Sequence, residues 1–578
     1  MPFPAVLTDP ELQNIVQLMS RKLDLDLQSA GRLVDVARLV HLPRGDMLFQ
    51  QGDTSPHFYL LLQGQLKGQR CRPDGQSDFS ISFYPGEMIG ELGFFDRTPR
   101  TLSIHARRDC ILLEIDQPAL EKFSEYSRSV YQHLIRILVQ RFKRELGYHT
   151  RLAPHQFMLL QSFLDPRDLK AQAVEDVLSE LSRHVELRRW KNVSDIPADK
   201  TVEPEGRLVE LLEADSRGGI NDRLLDDLDA MVMVVDSNVI QNQEDCELIR
   251  AQLDAAGDDL PMWLVVVHES SAVEQNIGTR LRMLFGKGFR LLHLRHRHHA
   301  DTARVARHIL GLSVGLVLGG GGARGFAHAG FFQALDEAGI VIDSVGGTSM
   351  GALVGALIST GRNALEIQKI LAENFPKGLP FRLTDYRLPR HGLVRSKAAD
   401  RVYRNAFGDW HIEDQPIPFF AVSCNLTTGN QFLYERGPIW QAVRATTSIP
   451  VFFEPHVADQ QVMVDGALVN NVPVDCMRAR GANKIITVDV GQEADITASG
   501  SANGRAQMPG VMKALMRVIE LGGIEKSRQA RLLCDYYLQP PIEKIGLMEF
   551  ERREEIVSIG YEAGRRAIPD ILGLLNKK

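Results

Sequence analysis

At 578 residues the chain is too long for one hydrophobic core, and 44% hydrophobic with 24% charged residues is an ordinary globular composition. A formal net charge of −6 argues against a nucleic-acid partner. Six cysteines lie far apart with no C-x-x-C pair, which fits reduced thiols in the cytoplasm and neither a disulfide framework nor a zinc site.

The first residues lack the basic and apolar regions of a signal peptide, and no apolar run reaches the ~18 residues that cross a bilayer. The expectation is a cytoplasmic protein that meets any membrane peripherally. Residues 1–150 read as a β-rich unit closed by a helix. Strands are predicted at 58–62, at 79–83 with period-two alternation, and at 102–104, with a turn at Arg72-Pro73-Asp74-Gly75. Val130, Leu134, Ile137, Leu138 and Phe142 mark one face of a helix.

Within this unit, Gly90-Glu91-Leu92-Gly93-Phe94-Phe95 is followed by Thr98-Pro99-Arg100-Thr101. The pair resembles the phosphate-binding cassette of cyclic-nucleotide-binding domains. A short helix would offer backbone N–H groups, Glu91 would accept the ribose hydroxyl, and Arg100 would pair with the cyclic phosphate. The resemblance implies a β-roll with Gly90, Glu91, Arg100 and Thr101 around cAMP or cGMP as regulatory ligand. Leu102 departs from the small residue usual at its position.

Residues 151–310 read first as helical segments and a polar linker, then as strands at 208–212, 230–235, 263–267 and 291–294 alternating with helices. That alternation predicts a small α/β domain. The cluster His293, His296, His298 and His299, with Arg295 and Arg297, reads as a solvated basic loop near anionic head groups; no metal site is expected.

Residues 311–578 carry the strongest strand–helix alternation. A strand at 315–318 runs into Gly319, Gly320, Gly321 and Gly322 and then a helix, so successive amides can converge on an anion at a helix N-terminus. Gly320, Gly322 and Gly325 also satisfy G-x-G-x-x-G, and Asp343 stands where a dinucleotide-binding fold places its ribose acid. The next motif favours another chemistry. A strand predicted at 340–345 leads into Gly347-Thr348-Ser349-Met350-Gly351 and a small-residue helix, the order of a nucleophile elbow.

A serine needs a base, and no histidine follows Asp465, so the order Ser…Asp…His is impossible with that acid. Triads using His391, His411 or His456 with an earlier acid stay open. Asp465 ends a predicted strand at 462–464 and opens Asp465-Gly466-Ala467, where a carboxylate can take the serine proton directly. Beyond Gly491 a Gly/Ala/Ser-rich mobile loop is expected, then helices over 511–521 and 556–575 that pack on the catalytic domain or lie on a membrane.

Together, G-G-G-A-R-G, G-T-S-M-G and D-G-A are similar to the motifs of the patatin-like phospholipases, and the three-part chain resembles the neuropathy target esterase family. The resemblance implies Ser349 as nucleophile, Asp465 as general base and Gly320, Gly321 and Gly322 as oxyanion hole. Gly347 and Gly351 would form the elbow, with Arg324, Gly325 and Gly466 in support. Phe331, Phe332, Phe452 and Phe453 are candidates for acyl-chain walls, although each also suits the core. The expected substrate is a phospholipid or lysophospholipid met at a membrane surface, with no catalytic cofactor and homo-oligomerisation left open. The alternative is a nucleotide-sensing, lipid-binding scaffold without turnover.

Overall fold

The computed structural model describes residues 16, 17, 20, 27–126, 155–491 and 526–576, apart from 55, 72–76, 165–168, 192–207, 216–227, 257–259, 287, 376–384, 386–391 and 459. The expected turn at 72–75, the helices at 130–142 and 511–521 and most of the loop after Gly491 lie outside the described residues. Two compact units divide the chain: 1–146 with 220–228, and 147–219 with 229–578.

The first unit is a β-roll of eight strands: β1 (Arg38–Leu42), β2 (Met47–Phe49), β3 (His57–Gln63), β4 (Leu66–Cys71), β5 (Ser77–Phe83), β6 (Met88–Ile89), β7 (Ser103–Ala106) and β8 (Cys110–Asp116). They form two four-stranded antiparallel sheets, in the orders β1-β8-β3-β6 and β2-β7-β4-β5. The apolar run of β3 is explained by burial on both faces. Phe58, Leu60 and Leu62 enter one core cluster and Tyr59 and Leu61 the other.

In the second unit, β9 (His155–Ser162), β10 (Glu186–Trp190), β11 (Leu208–Asp215), β12 (Ala230–Asp236), β13 (Met262–His268) and β14 (Arg290–Arg295) make one sheet. Every pair is parallel, and the order is β10-β11-β9-β12-β13-β14. Such a sheet is covered on both faces, and β13 is buried along its whole length. Here the helical reading of the region after residue 151 is corrected. His155–Ser162 is a central strand, flanked by β11 and β12, and Gln161 within it is fully buried. The basic loop is corrected as well. His293 lies inside β14, 3% exposed, and Arg295 bonds the buried Asp301.

The same unit carries an eight-stranded sheet: β15 (Val314–Leu318), β16 (Ser344–Thr348), β17 (Phe419–Asn425), β18 (Asn430–Tyr434), β19 (His456–Ala458), β20 (Gln461–Asp465), β21 (Lys484–Val488) and β22 (Tyr536–Leu538). Its order is β19-β20-β17-β16-β15-β21-β22, with β18 also on β17. The strand expected at 340–345 begins at Ser344; just before it, the Asp343 carboxylate bonds Arg307 and the Val314 amide, while the Asp343 amide donates to the Val314 carbonyl.

One register sets which strand ends meet. β16 pairs with the first half of β17, up to Thr348 opposite Val422. β20 pairs with its last residues, starting from Asp465 opposite Ser423. Because β18 spans Ala421–Asn425 on one edge, β16 and β20 must share the other. They run toward each other and meet end to end.

Helices α1 (Ala327–Glu337) and α2 (Met350–Ser359) follow β15 and β16, and the long α3 (Arg553–Leu575) packs along α1. The crossing is close because glycines line it. A Cβ on Gly560 would lie 2.0 Å from the Ala327 carbonyl oxygen, and one on Gly330 1.9 Å from that of Val557. Among the described residues no helix is long and apolar enough to cross a membrane.

Candidate active site

The end-to-end meeting of β16 and β20 brings two side chains together that lie 116 residues apart. The Ser349 hydroxyl donates to Asp465 Oδ2 at 2.7 Å, and both residues are buried, at 4% and 2% exposure. Ser349 occupies φ 53°, ψ −126°, a strained conformation for a residue with a Cβ. Its amide donates to Thr446 Oγ1 at 2.9 Å, and its carbonyl starts α2 by accepting from Leu353. These bonds hold the turn.

The flanking glycines are required by contact rather than by dihedral freedom. A Cβ on Gly347 would sit 2.5 Å from the Leu318 carbonyl oxygen, and one on Gly351 2.2 Å from the same atom. A Cβ on Gly325 would strike Met350, and one on Gly466 would lie 2.2 Å from the Val422 carbonyl oxygen. The elbow thus rests directly on the end of β15, where the glycine loop begins.

Asp465 accepts from the Ala467 amide at 2.9 Å with Oδ1, which leaves Oδ2 for the serine. Burial pushes its carboxyl up to about 6, and the bonds from Ala467 and Ser349 offset only part of that shift. A carboxylate with that affinity for a proton, in contact with a hydroxyl, is suited to general base chemistry near neutral pH.

The glycine loop passes over the same spot. A Cβ on Gly320 would lie 3.1 Å from Ser349 Cβ and 2.6 Å from Asn471 Oδ1. The amide of Gly320 donates to the Asn471 carbonyl at 3.2 Å. Gly321 and Gly322 keep their amides without a backbone partner among the described residues. Gly322 takes φ +54° under the Leu547 carbonyl. Arg324 donates through Nε to the Ile545 carbonyl at 2.7 Å, tying the loop to the chain before α3. His328, fully buried and held down to about 4 by desolvation, contacts the Gly319 carbonyl at 2.8 Å.

The other candidates fall elsewhere. Asp343 is saturated by Arg307 and the Val314 amide, which removes the ribose acid a dinucleotide reading needs. His411 bonds Thr279, and His456 packs against Trp440; His391 lies outside the described residues. Phe331, Phe332 and Phe453 belong to the core, with Phe452 half-buried against it. Thr446 and Asn471 escaped the sequence reading because no motif marks them. Their roles come only from the neighbours the fold gives them.

In the β-roll, Gly90 adopts φ 77° before the helix Glu91–Asp96, and a Cβ there would lie 2.0 Å from Arg100 Nη1. Arg100 is 5% exposed. It donates to the Gly90 carbonyl at 2.7 Å and the His57 carbonyl at 2.6 Å, and lies 4.1 Å over the Phe49 ring. Glu91 is buried, Thr101 is exposed, and Leu102 packs on the roll's core. The cassette residues are therefore gathered in one place, with the arginine turned onto its own backbone.

Known proteins resemble the chain in both regions. Residues 316–477 match the patatin-like phospholipase family and residues 39–127 the cyclic nucleotide-binding domain. An uncharacterized NTE family protein of Mycobacterium tuberculosis is 27% identical over 95% of this chain and 95% of its own. Neuropathy target esterase sws of Drosophila melanogaster is 26% identical over 91% of this chain and 42% of its own length. Patatin-like phospholipase domain-containing protein 7 of Rattus norvegicus is 25% identical over 93% and 46%. This chain therefore spans less than half of those two relatives. It joins a region that matches the cyclic nucleotide-binding domain to one that matches the patatin-like phospholipases, and over most of its length it is similar to proteins of the neuropathy target esterase family.

Proposed function

We propose that the chain is a serine acyl hydrolase that cleaves carboxylic ester bonds of lysophospholipids or phospholipids through a Ser349–Asp465 dyad. The observation that carries this reading is the 2.7 Å bond between a strained, buried serine and a carboxylate raised to about 6. Asp465 takes the hydroxyl proton as Ser349 Oγ attacks the ester carbonyl. The negative charge of the tetrahedral intermediate settles on the amides of Gly321 and Gly322, beside Gly320. Collapse expels the alcohol, which receives the proton from Asp465. Water, deprotonated by the same carboxylate, then releases the fatty acid and restores the serine.

The lipid is reached at a membrane surface in this reading, and cAMP or cGMP at Gly90, Glu91, Arg100 and Thr101 modulates the rate. A fluorophosphonate should label the wild-type chain and leave Ser349→Ala unlabelled, with lysolipid hydrolysis lost in parallel. Substantial turnover by Ser349→Ala ends the proposal, and absence of labelling in active wild type points away from a serine enzyme.

A further inference from the structure

A cleft of about 1050 Å³ lies between the six-stranded sheet and the eight-stranded sheet of the second unit. Neither Ser349 nor Asp465 lines it. It reaches Ser344, the first residue of β16, whereas Ser349 follows the last. Five strand positions, about 17 Å, separate the two. Along β20 the cleft comes closer, to Met463, two residues before Asp465, but it includes neither member of the dyad.

Its chemistry is unusual in charge. Arg282 and Arg290 come from one side, Arg436 and Arg480 from the other. Glu413 and Glu435 are the carboxylates that line it. Glu435 pairs with Arg480, and the two oxygens of Glu413 are taken by Thr279 Oγ1 at 2.7 Å and the Gly437 amide at 2.6 Å. Among the described residues, Arg282, Arg290 and Arg436 have no carboxylate within ion-pair distance. Arg290 gives one bond to the Arg480 carbonyl at 3.1 Å. Desolvation by the surrounding wall lowers the affinity of Arg282 and Arg290 for their protons; Glu413 and Glu435 offset part of this at Arg282 while Arg436 adds to it, and Arg480 adds to it at Arg290.

The rest of the wall mixes apolar and aromatic residues, Phe289, Phe420 and Phe432 among them, with Gln415, Gln441 and Gln461. Arg480 stacks over the Phe420 ring at 4.6 Å, and Phe432 is 36% exposed. Trp263, 6% exposed and part of the same wall, keeps its buried indole N–H without a partner. A donor left unpaired at that burial costs free energy that a bound acceptor would recover.

The geometry points to this cleft as a binding site for an amphiphile with an anionic head group and an apolar tail, of which a long-chain fatty acid carboxylate is the simplest member. Guanidinium forks hold the head, the phenyl rings hold the tail, and the volume suits one such molecule. The site does not rest on the esterase reading, because binding is measured without turnover.

The test uses the full chain carrying Ser349→Ala, with oleate below its micellar concentration as the probe, followed by calorimetry. Adding Arg282→Gln and Arg290→Gln should weaken oleate at least tenfold, while Arg290→Lys alone keeps most of the affinity. Oleyl alcohol should bind at least tenfold more weakly than oleate. In an otherwise wild-type chain, the two glutamines should leave hydrolysis of a short-chain ester unchanged. A second readout needs no arginine variant: 9,10-dibromostearate should quench tryptophan fluorescence, and Trp263→Phe should abolish that quenched component. Equal oleate affinity with and without the glutamines, equal binding of the alcohol, or quenching that survives Trp263→Phe would each overturn the site.

Discussion

Replacing Asp465 with asparagine separates catalysis from stability and gives the two effects opposite signs. Asparagine preserves the shape of the side chain and can still accept from the Ala467 amide, but it cannot take the Ser349 proton. Loss of a general base lowers turnover by about 10²- to 10⁴-fold. The stability effect comes from the raised carboxyl. In the folded chain Asp465 holds its proton up to about 6, against 3.8 ordinarily. Its neutral form is therefore favoured by folding. The stability it contributes is complete below 3.8 and is lost as pH rises through about 6. At about 1.36 kcal/mol per pH unit, ionisation at pH 8 costs the wild-type fold at most about 3 kcal/mol.

Asp465→Asn escapes that cost. It should melt above wild type at pH 8, with the gain shrinking toward zero near pH 4. The wild-type kcat/KM for a soluble ester should rise with unit slope through pH 6 and then level off. A profile flat from pH 5 to 8, or an Asp465→Asn enzyme within tenfold of wild type, would refute the assignment of this carboxylate as base.

Three other perturbations act on contacts. Gly351→Ala puts a Cβ 2.2 Å from the Leu318 carbonyl oxygen, and the elbow must move. Fluorophosphonate labelling should slow by about 100-fold or more, the usual cost of displacing a reacting atom by about 1 Å. Gly560→Ala forces α3 away from α1, because its Cβ would lie 2.0 Å from the Ala327 carbonyl. Overpacking of this kind costs roughly 1–3 kcal/mol, to be read as a lowered melting temperature. Arg100→Ala removes two charge-assisted bonds and the contact with Phe49. It should abolish cAMP binding, measured by calorimetry, and destabilise the β-roll by on the order of 3 kcal/mol. Unchanged cAMP affinity would remove Arg100 from the nucleotide site.

Much of the candidate site was legible in the sequence because its residues are forced locally. Ser349 needs glycines on both sides to turn that sharply between a strand and a helix. Asp465 sits where a short strand breaks into Asp-Gly. A histidine-free stretch after Asp465 also ruled out one familiar triad by chain order alone. Other elements were not legible. β9 reads poorly because Gln161 looks solvent-facing, and only the parallel neighbours β11 and β12 enclose the strand. His293 looks like part of a basic run until its strand places it beside His268 at 2.9 Å.

The amino-acid order alone determined which groups could react: a hydroxyl on a tight turn, a carboxylate at a strand end, and a run of small residues with exposed amides. Short-range backbone geometry suffices for each of those. Tertiary structure decided that two strands meet head-on along one edge of β17, and so set the hydroxyl against the carboxylate. It also decided how far burial raises that carboxylate's hold on a proton, since desolvation depends on everything packed around the group and not on its neighbours in the chain.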